Sequence, residues 1–216
     1  PDYINLGSTR DINLGVQNLI SMQSPALLER AFAGETVFIP PIFSDVPLQD
    51  SRGNLVEKAP TAFLATPIRD TSGDIIAVFT LRYAPEEELA RLTEIGRIGE
   101  TGETYAHDEQ ARMLTKSRFN QENNSGILHI RLSDPGKILD EKHDFIKQDP
   151  DWPLTLAVVS TLQGIDDLNI DGYRDYRGVP VIGAWQWVED LNVGIITEID
   201  ISDALQPLNR MSSLVI

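Results

Sequence analysis

The sequence predicts an α+β fold built from two modules, each an antiparallel sheet flanked by helices. Runs of β-branched and aromatic residues are separated by short turn segments, which is the pattern of antiparallel hairpins. Helical segments with start and stop signals lie between these runs. A five-residue motif, Arg-Asp-x-x-Gly, also occurs twice ahead of a strand, at residues 69–73 and, 105 residues later, at 174–178. This spacing is the size of one small α+β unit and indicates a duplication.

The first module is predicted from local signals in the first 84 residues. Ser24, Pro25 and Gly34 serve as cap, first helical residue and terminator of a short helix that ends near Phe32. Strands are predicted over residues 37–39, 62–66 and 75–83, the last two joined by a turn over 70–73.

The second module is predicted to follow a connecting helix over residues 85–97. The acidic residues after Pro85 suit the positive end of that helix, and Leu89, Leu92 and Ile95 form its apolar stripe. The remaining predicted elements are strands over 104–107 and 113–119 around a turn at 108–110, a helix over 153–163 closed by Gly164, strands over 179–188 and 193–199, and a terminal helix capped at Ser202 whose one side carries Leu205, Leu208 and Met211.

Composition restricts the function. The chain has 216 residues and a formal net charge of −15, from 18 Lys and Arg against 33 Asp and Glu. Nucleic acid and anionic membrane surfaces are therefore not expected partners, because both require a basic protein surface. The absence of Cys removes disulfides, thiol nucleophiles and zinc-thiolate sites, and suits an oxidising compartment. With no apolar run of 18 residues and a start at Pro1, the sequence is interpreted as an excised soluble fragment.

No metal or cofactor site is predicted. Residues 167–172 fill positions 1, 3, 5 and 6 of a calcium loop, but Gly178 stands where a bidentate Glu is required. We therefore interpret this segment as an Asx-rich turn ahead of a strand. The three histidines, His107, His129 and His143, lack the spacing of a zinc site and are predicted to be solvated or hydrogen-bonded on the surface.

The sequence does not nominate a catalytic residue. It has no Gly-x-Ser-x-Gly nucleophile elbow and no phosphate-binding glycine loop between a strand and a helix. Trp185 and Trp187 alternate along one strand and therefore share a face. We expect both to pack in the core, and a ligand pocket lined by them is the alternative.

Four segments resemble the double Cache sensor domains of bacterial histidine kinases, chemoreceptors and nucleotide or cyclic-dinucleotide cyclases. They are Thr-Gly-Glu-Thr-Tyr at 101–105, Met-Leu-Thr-Lys-Ser-Arg-Phe at 113–119, the stretch from Gly-Tyr-Arg-Asp to Gly-Ala-Trp at 172–185, and Thr-Glu-Ile-Asp-Ile-Ser-Asp-Ala at 197–204. The resemblance implies two PAS-like modules, a membrane-distal one over residues 1–84, whose long N-terminal helix is missing, and a membrane-proximal one over 98–200. Residues 201–216 would begin a helix toward a transmembrane segment.

By the same resemblance, the distal module holds a ligand pocket lined by Phe43, Ser44, Phe63, Thr80 and Arg82. Amino-acid-binding members carry an Arg-x-Trp-Tyr segment before the strand of Phe43 and an Asp where Thr80 stands. This chain has neither, so it lacks the carboxylate that an ammonium group needs. Arg82 is the one cation in the set, which points to a small carboxylate ligand.

The function predicted from the sequence is that of a non-catalytic, periplasmic or extracellular sensor domain. Ligand binding in the distal module would shift the terminal helix, across a homodimer in the full-length receptor, and would signal to a cytoplasmic output domain. The membrane would be reached only through transmembrane segments outside this chain. A module that recognises a periplasmic protein is the alternative, which an apolar surface patch would favour. A hydrolase would require Ser, His and a carboxylate that converge in a cleft.

Overall fold

The structure, a computed structural model, describes residues 3–49, 53–85, 93, 96–119, 127–139 and 148–206. It confirms the α+β class, and the chain divides into two units, Pro1–Ala84 and Pro85–Ile216. The helices are α1 (Leu19–Gln23), α2 (Pro25–Phe32), α3 (Leu156–Leu162) and α4 (Ile201–Ala204). The strands are β1 (Val37–Phe43), β2 (Leu48–Gln49), β3 (Leu55–Val56), β4 (Pro60–Arg69), β5 (Ile75–Tyr83), β6 (Glu103–His107), β7 (Asp167–Arg174), β8 (Pro180–Val188) and β9 (Val193–Asp200).

The first unit is an antiparallel sheet in the order β1-β4-β5, with α1 and α2 against one face. A second small ribbon, β2-β3, lies in the segment that joins β1 to β4. The core forms where the apolar sides of the two helices meet alternate residues of β1 and β4, because side chains alternate between the two faces of a strand. Its buried members are Leu19, Ile20, Leu28, Ala31, Val37, Ile39, Ile42, Phe63 and Ala65.

The second unit is a four-stranded antiparallel sheet in the order β6-β9-β8-β7. Helix α3 and the segments after β6 cover one face of this sheet. The buried core of that face consists of Tyr105, Ala111, Met113, Ile130, Leu132, Ala157, Val158, Tyr176, Trp185 and Ile196.

Both units contain the same sequence of elements, a helix, a glycine turn and three antiparallel strands. A glycine lies two residues after the end of each helix, Gly34 after α2 and Gly164 after α3. The φ angles of these glycines are positive, 113° and 70°. In both turns the glycine N–H and the N–H of the next residue donate to the last helical carbonyls, which is the Schellman arrangement that glycine favours. The helix, glycine and strand order thus repeats, α2-β1-β4-β5 in one unit and α3-β7-β8-β9 in the other.

The Arg-Asp-x-x-Gly motif does not mark corresponding positions in this repeat. Its first copy turns between β4 and β5, the second and third strands of the repeat, whereas its second copy turns between β7 and β8, the first and second strands. The turns themselves are alike: in each, an Asp carboxylate, Asp70 or Asp175, accepts two backbone N–H groups, and Gly73 or Gly178 takes positive φ. The motif therefore marks the same kind of turn in both units. The prediction that its 105-residue spacing equals the length of the duplicated unit is wrong.

Most predicted elements of the first unit are confirmed: β5 has the predicted bounds, whereas β1 and β4 are longer than expected. Strand β1 extends through Pro40 and Pro41 with a bulge, and its register against β4 shifts between Ile39 and Ile42. Helix α2 begins at Pro25 as predicted, but the Ser24 side chain makes no capping hydrogen bond.

In the second unit two predicted elements are wrong. Residues 113–119 do not form a strand, because Met113 pairs only at an isolated bridge with His107 and the segment then turns away. Residues 167–172, expected as a turn, are most of strand β7. The Asn169 side chain accepts a hydrogen bond from Gly172 N–H at a bulge in that strand. The Asx chemistry is present, but it bends the strand and does not precede it.

The helical predictions in the second half are confirmed only in part. Helix α3 is shorter than the predicted 153–163 and begins after Thr155. Helix α4 begins one residue before the expected Ser202 cap, with Asp200 preceding it. Most of the connecting helix predicted over 85–97, and both Leu208 and Met211 of the terminal stripe, lie outside the described residues. Within those residues, no helix is long and apolar enough to cross a membrane.

Candidate functional site

The predicted ligand residues of the first unit fall at one end of its sheet. Phe63 on β4 and Arg82 on β5 are cross-strand partners, and Thr80 shares the face of Arg82 two residues away. The guanidinium carbon of Arg82 lies 5.3 Å from the centroid of the Phe63 ring, within the range of a cation–π contact. The structure thus brings Phe63, Thr80 and Arg82 together on the face that carries the core.

Arg82 is only partly paired. Its Nη2 lies 3.8 Å from Asp45 Oδ1, longer than a charge-assisted hydrogen bond. Its Nη1 is buried and has no hydrogen-bond partner in the part of the chain that the structure describes. Burial lowers the pKa of Arg82, the positive charge of Arg10 lowers it further, and Asp45 acts in the opposite direction. An additional anion at Nη1 would therefore be stabilised.

Thr61 contributes a second unpaired polar group to the same face. It lies on β4 two residues before Phe63, so both side chains project to one side of the sheet. The side chain is 1% exposed, and its hydroxyl has no partner among the described residues. A buried hydroxyl without a hydrogen bond is costly, and such groups mark places where a ligand or water completes the network.

Phe43 and Ser44 occupy different positions. Phe43 pairs in register with Pro60, the residue before Thr61, and alternation therefore directs it to the opposite face from Thr61 and Phe63. Its backbone N–H and carbonyl are held by the side chain of Gln23, at 3.1 and 2.7 Å. The Ser44 hydroxyl donates to the carbonyl of Val46, so it stabilises the loop.

The second unit has a buried polar cluster that the sequence did not predict as a site. Glu198 accepts hydrogen bonds from the hydroxyls of Tyr105 and Tyr173, at 2.8 and 2.6 Å. Glu103 accepts from the hydroxyl of Tyr176 at 2.7 Å and from the backbone N–H of Arg118. All of these residues lie within the four segments that carry the family resemblance, so their acidic, tyrosine and arginine residue types were the signal available in the sequence.

Arg177 closes this cluster. Its Nε and Nη2 each lie 2.6 Å from a carboxylate oxygen, of Asp175 and of Asp200. Its guanidinium also stacks 3.7 Å above the Phe119 ring. Burial is the largest single influence on the pKa of Arg177 and acts to lower it, but the interactions with Asp175, Tyr176 and Asp200 together outweigh burial and raise that pKa.

The histidine prediction is confirmed for His129, which is exposed, and wrong for His107, which is fully buried. The ring nitrogens of His107 pair with the Thr161 hydroxyl at 2.8 Å and the Asp108 carbonyl at 2.9 Å. Burial lowers its pKa, so the ring is neutral at pH 7. His143 lies outside the described residues. In the described ranges no three His, Cys, Asp or Glu side chains are placed to hold a metal ion.

Of the two tryptophans, Trp185 packs in the core as predicted, whereas Trp187 is half-buried. The Trp185 indole ring meets Tyr173 edge to face at 5.5 Å between centroids. Its indole N–H is buried and has no partner in the described part of the chain.

Comparison with solved structures finds proteins of similar fold. The extracellular domains of two proteins named as histidine kinases, mmHK1S-Z3 and mmHK1S-Z2, match with TM-scores of 0.51 and 0.52 at 14% identity. The matches cover 90% and 89% of this chain, and 60% of each of those chains. This chain shares the α+β fold of those extracellular domains. The periplasmic sensory domain of the Campylobacter jejuni chemoreceptor Tlp1 also matches, with a TM-score of 0.49, 14% identity, and coverage of 89% and 60%.

The chain spans about 60% of the length of these two matched structures. No protein-family model matches the chain, and no curated protein sequence matches it either. Sequence reasoning missed Thr61, Asp45 and Arg10 near Arg82. Period-2 alternation from Phe63 could have found Thr61, whereas Asp45 and Arg10 approach Arg82 only through tertiary folding.

Proposed function

We propose that this chain is the extracytoplasmic sensor domain of a membrane receptor. Its first unit would be the membrane-distal, ligand-binding module and its second the membrane-proximal module. The domain itself would be non-catalytic, and the parent would be a histidine kinase, chemoreceptor or nucleotide cyclase. The fold shared with extracellular domains of proteins named as histidine kinases supports this proposal.

The ligand of the first unit would be a small carboxylate. The observation that carries this proposal is the buried Nη1 of Arg82, which has no hydrogen-bond partner among the described residues. A guanidinium presents its N–H groups in a planar fork that matches a carboxylate. Arg82 and Arg10 lie near one another in a chain of net charge −15, and Asp45 compensates them only in part. The Thr61 hydroxyl and the Phe63 ring would complete a polar and an apolar contact.

Signalling requires only that the ligand bind one of two arrangements of the receptor more tightly than the other. A coupling free energy of about 1–3 kcal/mol is sufficient for such a switch. Residues 201–216 would carry the bias toward the membrane, in a receptor that we expect to be a homodimer.

The test is a thermal-shift screen of the chain against organic acids, amines, amino acids, purines and sugars, followed by calorimetry on the hits. A ligand that binds only the native state must raise the melting temperature. We expect a carboxylate to bind and its affinity to fall at least ~10-fold in Arg82→Met, the loss expected for a charge-assisted contact. Arg30→Met, which removes an exposed arginine paired with Glu35, is the control and should bind normally.

Two results would contradict this proposal. If a carboxylate binds and its affinity is unchanged in Arg82→Met, the binding site does not include Arg82. A screen in which amines or sugars bind and carboxylates do not would refute the ligand class while leaving the sensor function intact.

A second candidate function, recognition of a protein partner, has one observation in its favour. On the face of the first sheet opposite the core, Leu64 and Leu81 are cross-strand partners, and Phe79 is adjacent. Phe79 and Leu81 are both 53% exposed. If no small molecule shifts the melting temperature, this apolar surface becomes the leading candidate for recognition, because exposed apolar patches mark interaction sites.

A further inference from the structure

Two glutamates face each other inside the second unit. Glu103 is the first residue of β6, and its cross-strand partner on β9 is Glu198. Both side chains are 4% exposed. Directly opposed residues of an antiparallel pair project to the same face with Cβ atoms about 5 Å apart, and like charges in that position repel. Two ionised carboxylates cannot be held there without a large cost in free energy.

Among the described residues, the side chains that donate hydrogen bonds to this pair are tyrosine hydroxyls. Arg118 donates its backbone N–H to Glu103, while its guanidinium donates to the carbonyls of Gly99 and Gly102. The tyrosine hydroxyls satisfy both carboxylates, two on Glu198 and one on Glu103. Strand β8 contributes Gly183 opposite Glu198, and a Cβ there would lie 2.6 Å from the Tyr173 hydroxyl and 2.9 Å from Glu198 Cγ. The missing side chain thus makes room for the Tyr173–Glu198 hydrogen bond. Helix α3 has no ionisable residue.

The guanidinium of Arg177, which lies in the same cluster, is already paired with two other carboxylates. Arg177 is the one buried Lys or Arg among the described residues, and it pairs with Asp175 and Asp200 at 2.6 Å each. The cluster therefore contains four buried carboxylates, those of Glu103, Asp175, Glu198 and Asp200, and one buried guanidinium. This imbalance favours retention of a proton.

The pKa of Glu198 follows this geometry. Burial is the largest cause that raises it, the charge of Asp175 adds to the effect, and the two tyrosine hydrogen bonds oppose it, which leaves a pKa of about 8. Burial also raises the pKa of Glu103, against the opposing effects of Tyr176, Arg118, Arg177 and Ser117. Burial therefore favours the protonated form of both carboxyls, and the retained proton belongs to the coupled pair.

The pair lies where two segments of the chain are clamped together. Glu198 is two residues from the end of β9, after which α4 begins. Asp203 of α4 accepts hydrogen bonds from the N–H groups of Glu100 and Thr101, at 2.8 and 2.9 Å, just before β6. The Thr101 hydroxyl donates to Asp203 and also accepts from Asp200 N–H. A change of charge between β6 and β9 therefore acts directly on the start of α4.

We propose that the Glu103–Glu198 pair is a proton-responsive switch, which holds a proton in the folded protein and releases it as the pH rises, so that the contact between β6 and the start of α4 changes. This regulation resides in the second unit and requires no ligand in the first. External pH would then bias the same terminal segment that carries the ligand signal.

The test is a pH titration of the chain by NMR with ¹³C-labelled glutamate carboxyls. We expect one glutamate resonance to titrate near pH 8 and to disappear in Glu198→Gln, while Glu109→Gln, which removes an exposed acid, leaves it unchanged. In Glu103→Gln its midpoint should fall by roughly one unit, because a like charge is removed. The amide resonances of Glu100 and Thr101 should shift with the same midpoint.

Several outcomes would overturn the switch. All glutamates titrating below pH 6 would show that no proton is retained. A high midpoint that Glu103→Gln does not lower would show that the two glutamates act independently. If the amide resonances of Glu100 and Thr101 do not follow the titration, the change of charge at the pair does not affect the contact with α4. The wild-type titration and the Glu103→Gln variant keep the test valid even if Glu198→Gln fails to fold.

Discussion

The ring of His107 fills the space that a side chain at Gly194 would need. The two residues are cross-strand partners on β6 and β9, and an added Cβ at 194 would lie 2.0 Å from His107 Nε2. The ring cannot withdraw easily, because Thr161 and the Asp108 carbonyl hold both of its nitrogens. The glycine at position 194 of β9 therefore leaves the space in which the His107 ring of β6 is buried.

We predict that Gly194→Ala destabilises the protein. The added methyl must displace a buried ring that is fixed by two hydrogen bonds, and overpacking of this kind costs about 1–3 kcal/mol in the free energy of unfolding. Urea unfolding measures it. Gly7→Ala is the matched control, since a Cβ there meets nothing within 4 Å. Equal stability of the two variants would contradict the close contact at His107.

We predict that His107 makes the protein less stable in acid. Its pKa is lowered by burial, so the unfolded chain binds a proton more readily than the folded one. The stability that the neutral His107 ring contributes is fully present above the pKa of about 6.5 that histidine has in the unfolded chain, and it is lost as the pH falls below that pKa. Unfolding free energies at pH 5, 6 and 7 should therefore converge between wild type and His107→Gln toward pH 5. A His107→Gln profile that runs parallel to that of wild type would refute the prediction.

We predict unequal effects of one substitution in the two Arg-Asp-x-x-Gly turns. Both Asp70 and Asp175 accept two backbone N–H groups, but Asp175 also binds Arg177 inside the protein. Asp175→Asn should cost about 3 kcal/mol, because it leaves a buried guanidinium without one partner. Asp70→Asn, in an exposed turn, should cost less than about 1 kcal/mol. Chemical denaturation of both variants decides this, and similar losses would count against the buried ion pair.

We predict opposite effects of Thr→Val at two equally buried threonines. Thr61 has an unpaired hydroxyl, so Thr61→Val should leave the unligated protein as stable or up to about 1 kcal/mol more stable. Thr161 binds His107 and two carbonyls of α3, so Thr161→Val should cost about 1–2 kcal/mol. Thermal unfolding measures both. In calorimetry with the carboxylate found by screening, only Thr61→Val should weaken binding. A destabilised Thr61→Val would indicate a partner for that hydroxyl.

Local sequence signals located the ends of one helix and the turn of one hairpin. Pro25 and Gly34 bound α2, and Gly73 with Asp70 forms the predicted hairpin turn, because caps and positive-φ positions depend on a few neighbouring residues. The same local signal failed at Asn169, whose side chain bonds Gly172 as an Asx turn does, yet within a strand. Pairing with β8 decided the conformation there, and β8 is distant in sequence.

The sequence by itself determined the α+β class, the hairpin between β4 and β5 and the alternation that puts Thr80 and Arg82 on one face of a strand, because these depend on local propensity and on the period of two in a strand. Only the tertiary structure decided which charges are paired. Arg82 remained partly unpaired, Arg177 gained two carboxylates, and Glu103 came to face Glu198 across 95 residues of chain. The reason is physical: a pKa or an unpaired hydrogen bond is set by burial and by neighbours that folding brings together, and neither is written in the local sequence.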